Sequence, residues 1–470
     1  MRNRIEEVLE NRNSHIHLVG IEGTGLSAIA RVLLEEGFTV SGSDKAVGER
    51  SRVLESLGAK VFRGHNAKNV KGADLVLISS AVPGDNPEVV EAKKNGIPVV
   101  KRDEFLGPLT SRKKVIAVAG AHGKTTTTAM ISFILTRAGK DPSFIVGSTM
   151  ADLGENAHAG AGDSFVIEAD EYDGMFLGLE PQVAVVTNIE WDHVDCYPTP
   201  EAHRKAFVEF LGKVKPGGTA VIDTEDAGAK KAQAETSRDD IRWVEYGLEK
   251  GEWHAAGARS EANGASFLLV HPGGEQEVRL ALTGMHNVSN AIAAMAAAFY
   301  GEGVPPEDSG RILADFHGTE RRFQVKGEAD GVIVVDDYAH HPTEIKATIR
   351  MARDRYPDRE LWVVFQPHTF TRTKAMLDDF AGSFVGADHV FVTDIYPARE
   401  KDDLGVSSAQ IVERSEHPDM VHSGDLESTF QAVIERIGPG SVLLTLGAGD
   451  GYKVGEMVLE ALGRREQGGA

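Results

Sequence analysis

The sequence predicts an α/β protein made of three successive units, each a largely parallel sheet flanked by helices. Three observations predict it. Short apolar, β-branched runs alternate with apolar residues at helical spacing along most of the 470 residues. Glycines and polar turns close the strands. A chain of this length makes about three domains at roughly 100–200 residues each.

The first unit spans 1–108. His15–Gly20 reads as a buried strand, and Leu26, Ile29, Ala30, Leu33 and Leu34 repeat as a helix that Gly37 ends. Phe38–Val40, Val61, Leu75–Ser80 and Ile97–Val100 are strands; Val53 with Leu57, and Val89 with Ala92, mark helices. Such alternation predicts a parallel sheet of Rossmann type.

The second unit spans 109–322. It opens with strand Val115–Gly120 and helix Lys124–Arg137, and continues with strands Phe165–Ile167 and Val183–Thr187. From 252 to 283 short alternating segments with Asn263-Gly264 and Gly273-Gly274 turns predict a small antiparallel insert. Helix Asn290–Tyr300 closes the unit.

The third unit, 323–470, is again doubly wound and Rossmann-like. Its strands are Val332–Val335, Leu361–Phe365, His389–Val392 and Val442–Leu446, with helices over 342–354, 372–384 and 424–436. The chain after Arg464 reads as a frayed end. Joints near 108 and 323 are expected to act as hinges.

Composition narrows the function classes. The chain is 41% hydrophobic and 26% charged, so it can bury several cores without a metal or disulfide staple. Fifty Lys and Arg against 71 Asp and Glu leave a charge of −21, which argues against wrapping nucleic acid or lying on an anionic membrane. Cys196 is the single cysteine and cannot form an internal disulfide. The N-terminal Met-Arg-Asn-Arg-Ile-Glu-Glu lacks an apolar signal core, and no apolar run approaches the ~18 residues of a membrane span. Cytoplasmic residence is the expectation.

Residues 120–126, Gly-Ala-His-Gly-Lys-Thr-Thr, follow an apolar strand and open a helix. That geometry aims backbone N–H groups and the positive helix end at phosphate. Lys124 would reach the terminal phosphates and Thr125 would ligate Mg²⁺. The match to a strict P-loop is imperfect, because Val118 stands where a glycine belongs and Gly120 comes later. A plain glycine-rich turn is the bland alternative.

Two acidic segments follow strands downstream. Glu168-Ala-Asp-Glu-Tyr-Asp173 succeeds Phe165–Ile167, and Asn188-Ile-Glu-Trp-Asp-His193 succeeds Val183–Thr187. Carboxylates at strand carboxyl ends face the ligand crevice of an open α/β sheet, where Mg²⁺ needs oxygen ligands. Either segment alone reads as a solvated loop; two together favour a site. In the first unit, Gly20, Gly23 and Gly25 let backbone approach a pyrophosphate, with Asp44 placed 24 residues after Gly20. Their spacing is Gly-x-x-Gly-x-Gly, which argues against an ordinary dinucleotide site.

These segments, taken together, resemble the Mur ligase family. The likeness extends through Ser41–Asp44, Gly64-His65-Asn66, Gly284–Asn290, Arg321-Arg322-Phe323, Asp336–Pro342, Phe365–His368, Arg372, Asp394–Pro397 and Gly447–Asp450, nearly the whole chain. It is greatest to members that join L-alanine to UDP-N-acetylmuramate. A recycling ligase adding a preformed tripeptide to the same UDP-sugar is the alternative; a dinucleotide oxidoreductase or a non-catalytic nucleotide sensor leaves more of the motifs unexplained.

The resemblance implies an ATP-dependent amide ligase of cell-wall precursor synthesis, acting through an acyl phosphate and using Mg²⁺. It implies a UDP-sugar unit, a central P-loop-type ATPase unit and a closing third unit. It assigns phosphoryl stabilisation to Lys124, and metal binding to Thr125, Glu168 and His193, although histidine is an unusual ligand for so hard a cation. Gly120, Ala121, His122, Gly123, Lys124, Thr125 and Thr126, with Asn287, Arg322 and Asp337, would hold ATP, with His286 on the adenine side. His340 and Arg372 would place the amino acid, unless His340-His341 merely caps the following helix. Gly20, Gly23, Gly25, Ser27, Asp44, His65 and Ser80 would bind the UDP-sugar. Catalytic roles fall to Lys124, His193, Asn287, Arg322, His340 and Arg372. Two departures stand out: Ala121 replaces a common Thr, and Thr369 replaces an Arg that some members carry. Lys205 is the nearest lysine for the carbamylation some relatives use. A monomer or homodimer is expected.

Overall fold

The structure, a computed structural model, describes residues 2–468. It contains three sheets. The first has five parallel strands in the order Lys60–Arg63, Thr39–Asp44, His15–Val19, Leu75–Ile78 and Val99–Lys101. This is the Rossmann order, with the central strand feeding a glycine turn and helix Thr24–Glu35. An N-terminal helix, Arg2–Glu10, precedes it and carries no strong sequence signal of its own.

The central sheet has ten strands. Its parallel core includes Lys114–Ala119, flanked by Ser164–Glu168 and Val183–Val186. Strands Trp253–Glu261, Gly264–His271 and Gly274–Leu280 are antiparallel to one another and turn at the Asn-Gly and Gly-Gly pairs. This expected antiparallel insert is continuous with the main sheet: Trp253 and His254 pair in parallel with Tyr246 and Gly247, so the hairpins extend it. Helix Met285–Glu302 lies across this sheet with its residues 291–298 buried, and so starts five residues before the sequence signal.

The third sheet has six strands in the order Gln324–Ala329, Val332–Asp337, Ser441–Leu446, Glu360–Phe365, His389–Thr393 and Met420–Gly424. The first is an antiparallel edge and the rest are parallel. The helix expected over 372–384 is two short helices, Phe370–Ala375 and Leu377–Ala381, broken where Met376 leaves the helical region. Helix Tyr452–Gly468 carries the chain past Arg464 in place of a frayed end; residues 469–470 lie outside the described residues.

Core packing separates the units unequally. One apolar cluster runs from Ile16, Leu18 and Leu33 through Phe105 and Leu109 to Val115, Phe165 and Phe207. The first two units therefore share a core. Pro108 sits inside helix Arg102–Thr110, whose residues 105–110 are buried, so no free hinge exists there. The third unit has its own clusters around Phe365 and Trp362. The chain enters it through Arg321 and Phe323, both at positive φ (57° and 48°), a conformation such side chains rarely adopt.

Candidate active site

The phosphate loop sits between strand Lys114–Ala119 and helix Lys124–Arg137, as its residues require. Val118 lies inside the strand, fully buried, which is why no glycine is needed there. Gly123 is needed: its φ is +81°, and a Cβ would lie 2.5 Å from Asn290 Oδ1. The loop is braced from the neighbouring strand end. The His122 carbonyl accepts from Thr187 Oγ1 at 2.5 Å and Asn188 Nδ2 at 3.0 Å, and Asn188 Oδ1 takes the His122 N–H at 2.9 Å.

Lys124 Nζ donates to the Gly120 carbonyl at 2.5 Å and lies 2.9 Å from both oxygens of Glu171. Burial alone would lower this ammonium, but Glu171, Asp170 and Glu168 raise it. Burial works against the Glu171 carboxylate too, yet Lys124 and His193 hold it down to about 2. His193 Nε2 stands 3.4 Å from Glu171, so one buried carboxylate joins the loop lysine to His193. Thr125 Oγ1 donates to Glu168 Oε1 at 3.1 Å, and the Gly147 N–H reaches Glu168 Oε2 at 2.8 Å. Burial raises the Glu168 pKa, with Lys124 only partly offsetting it, so this carboxyl is short of positive charge.

A cavity of about 630 Å³ opens beside the loop. Gly123, Thr126, Asn287, Arg322 and Asp337 line it, together with His286. Arg322 Nη2 lies 3.5 Å from Thr125 Oγ1, which brings the entry to the third unit against the loop. Burial pushes Asp337 up to about 6, against Arg322. Asp337 also accepts the N–H groups of Phe323 and Ala339, each at 2.7 Å.

The third unit adds a histidine-rich wall. Burial drives His340 down to about 4 and His368 to about 3, so both are neutral near pH 7. His341 does cap helix Pro342–Arg355, accepting from the Thr343 N–H at 3.3 Å, whereas His340 turns its Nδ1 to the Tyr338 carbonyl at 3.0 Å. Arg372, read as a partner for a substrate carboxylate, is buried against Asp192 of the central unit: Nε and Nη2 reach Asp192 Oδ1 at 2.9 and 2.8 Å. Thr369 opens the helix that carries Arg372, at a φ of 66°.

In the first unit the glycine turn hydrogen-bonds to itself and to the next strand, with Gly20 N–H on the Ser43 carbonyl at 2.8 Å and Gly23 N–H on Gly20 at 3.1 Å. Asp44 Oδ2 accepts the Glu22 N–H at 3.1 Å, and Ser27 Oγ donates to the Thr24 carbonyl at 3.0 Å. His65 Nδ1 meets Ser43 Oγ at 2.9 Å and buried Glu88 at 3.2 Å. Ser80 is exposed in the turn after Leu75–Ile78. The Arg102 guanidinium packs over Gly25, where a Cβ would come within 2.3 Å of Nη1, and lies 3.9 Å from Asp170.

Sequence reasoning passed over Arg102, Glu88 and Glu344, and did not single out Glu171, Glu190 or Asp192 within their acidic segments. Arg102 and Glu88 carry no local motif. Glu344 had a signal, because it stands three residues after the cap His341. Lys205 points outward from helix Pro200–Gly212, while His203 on the same helix is fully buried.

Residues 15–114 match the model of the Mur ligase family, catalytic domain; 118–298 match the Mur ligase middle domain; and 321–449 match the Mur ligase, glutamate ligase domain. The chain belongs to the Mur ligase family. It is 42% identical over 473 residues to a UDP-N-acetylmuramate–L-alanine ligase of Roseiflexus castenholzii, covering 96% of this chain and 98% of that one. A ligase of the same name from Geobacter sp. strain M21 is 45% identical over 449 residues, covering 94% and 96%. Among solved Mur ligases, the Thermotoga maritima UDP-N-acetylmuramate–alanine ligase MurC superposes with a TM-score of 0.80 at 29% identity, covering 97% of this chain and 100% of that one. The murein peptide ligase Mpl of Psychrobacter arcticus gives 0.74 at 25%, covering 96% and 99%. The three Mur ligase models fall on the three sheets, so the shared family fold includes the loop, the acidic strand ends and the histidine wall.

Proposed function

We propose that this chain joins L-alanine to the lactyl carboxylate of UDP-N-acetylmuramate, with ATP converted to ADP and phosphate, in cytoplasmic synthesis of peptidoglycan precursors. The observation behind the reading is the 42–45% identity, over 94–96% of the chain, to ligases of that name, on a chain whose phosphate-loop lysine is held by the Gly120 carbonyl and buried Glu171. A carboxylate is a poor electrophile. Its attack on the γ-phosphorus of ATP forms an O–P bond and expels ADP, giving an acyl phosphate. The amine of L-alanine then attacks the acyl carbon, and phosphate leaves as the amide forms.

The residues divide this work by position. Lys124 exchanges its loop carbonyls and Glu171 for the transferring phosphoryl oxygens, and supplies charge where charge develops. Within Gly120–Thr126, where Asn188 already holds the Ala121 and His122 N–H groups, the N–H groups of Gly123 and the first helical turn, Lys124–Thr126, turn to the phosphates. Asn287, Arg322 and Asp337 hold the nucleotide in the cavity, with Arg322 reaching the phosphate side beside Thr125. The residues fit Mg²⁺: Thr125 Oγ1 and Glu168 are adjacent oxygen donors, and Glu168 lacks a full counter-charge. His193 would hold a second ion beside Glu171. Bound there, Mg²⁺ neutralises phosphate charge. Neutral His340, with Arg372, receives the amino acid. The glycine turn, Ser27, Asp44, His65 and Ser80 bind the UDP-sugar, and the third unit, residues 323–470, closes from the joint at 321–323.

The test is chemical. Purified protein with ATP, Mg²⁺ and UDP-N-acetylmuramate should release phosphate on addition of L-alanine. Faster release with a preformed tripeptide would move the acceptor assignment to the recycling class.

A further inference from the structure

His122 lies inside the phosphate loop, yet its ring does not face the loop. Nε2 meets Glu190 Oε2 at 2.9 Å, and Nδ1 meets Glu344 Oε1 at 3.2 Å. Glu190 belongs to the central unit and Glu344 to the third. The ring also packs on that of His341, with centroids 4.7 Å apart. Glu344 is itself held tightly: its Oε2 accepts the His340 N–H at 3.0 Å and the His341 N–H at 3.3 Å, and its Oε1 lies 3.9 Å from Arg322 Nη1. Glu190 Oε1 accepts from Thr343 Oγ1 at 2.7 Å. The side chain of one loop residue is thus pinned between a central-unit carboxylate and the first turn of helix Pro342–Arg355, which His340 and His341 precede.

We infer that His122 is a positioning residue, whose imidazolium, hydrogen-bonded to Glu190 and ion-paired with Glu344, latches the third unit onto the phosphate loop and so couples nucleotide binding to closure. The inference rests on the reading of the chain as a closing ligase, and adds a coupling element to it. The backbone of His122 is anchored to Thr187 and Asn188, so a phosphate that settles the loop also settles the ring. The ring in turn fixes Glu344, and through Glu344 it fixes His340 and Arg322. A cation site built from His122, Glu190 and His341 is the competing use of the cluster. It is disfavoured because both His122 nitrogens already face carboxylates and His341 Nδ1 caps its helix.

Protonation supports the geometry. Burial alone would lower the His122 pKa, but Glu190 and Glu344 raise it to about 9. The groups facing it are Glu190 from the central unit and Glu344 and His341 from the third, with Arg322 and His340 behind Glu344. The folded value exceeds the ordinary 6.5, so the latch is fully present below about 6.5 and is lost as pH rises through about 9.

The test uses the full chain and the variants His122→Asn, Glu344→Gln and their double. Glu344→Gln keeps an acceptor for the helix cap. ATP affinity is read by calorimetry, closure by small-angle scattering with a non-hydrolysable ATP analogue and UDP-N-acetylmuramate, and turnover by phosphate release. Each single variant should lose the ligand-induced compaction, bind ATP several-fold more weakly and drop at least about tenfold in kcat; the double should be no worse than the poorer single. Parent compaction should fade between pH 8 and 10, and His122→Asn should lack that dependence. Full compaction in His122→Asn, or losses that multiply in the double, overturn the latch. A parent that compacts with ligands but releases no phosphate would contradict the ligase reading and leave the latch standing.

Discussion

Arg372 and Asp192 form a buried ion pair between the third and central units, with two guanidinium nitrogens on one carboxylate oxygen at 2.9 and 2.8 Å. The geometry has two consequences. It ties the third unit to the loop that carries His193, and it fixes the orientation of the Arg372 guanidinium. His368 Nδ1, 3.3 Å from Arg372 Nη1, steadies the same guanidinium.

Breaking this pair from the carboxylate side should be costly. Asp192→Asn leaves a buried guanidinium without its counter-charge, a change of about 3–5 kcal/mol where such pairs are broken. The expected outcome is a lower unfolding temperature together with a raised KM for L-alanine, while ATP affinity changes little. Calorimetry and initial rates over a range of L-alanine concentration check it. An unchanged KM would detach Arg372 from the amino-acid pocket.

Gly123→Ala should abolish nucleotide binding while leaving the UDP-sugar site intact. The new Cβ would sit 2.5 Å from Asn290 Oδ1 on a backbone at φ +81°, so the loop is strained and either it or the Asn290 side chain must move. Titration calorimetry with ATP and, separately, with UDP-N-acetylmuramate reads the two sites independently.

Lys124→Ala should remove turnover and spare UDP-sugar binding. It also strips Glu171 of its main counter-charge in a fully buried position. The Glu171 carboxyl, held down to about 2 in the parent, should then titrate at higher pH, and the double variant Lys124→Ala/Glu171→Gln should melt at a higher temperature than Lys124→Ala alone. Differential scanning calorimetry decides it.

The first unit should lose stability in acid. Burial opposes ionisation of Glu88, but His17, Ser43 and Asn69 hold it down to about 2, below its ordinary 4.5. A lowered folded value contributes stability above about 4.5 that is lost as pH falls toward about 2. Thermal melts from pH 6 to 3 should show the decline, and Glu88→Gln should flatten it.

The strands and helices of the Rossmann-type halves were legible because their apolar periods are strong; helix Lys124–Arg137 has the bounds its pattern suggests. Three features were hidden for physical reasons. The joining of Trp253–Glu261 to the main sheet depends on long-range pairing with Tyr246 and Gly247, which no local turn signal encodes. The buried helix Arg102–Thr110 contains Pro108, near which a hinge was expected, yet its apolar residues join two cores. In the site, motif residues such as Lys124, Thr125 and Glu168 stand together as their segments suggested. Glu344 and Arg102 did not declare themselves, because their partners lie far away in sequence: His122 for one, the turn at Gly25 for the other.

Whether the chain ligates L-alanine is read by phosphate release from ATP and Mg²⁺ with UDP-N-acetylmuramate, comparing L-alanine with a preformed tripeptide. Release should require both the UDP-sugar and L-alanine, with the alanyl amide formed in equal amount and little response to the tripeptide. Tight ATP binding without turnover on either acceptor, or turnover with the tripeptide alone, would contradict it.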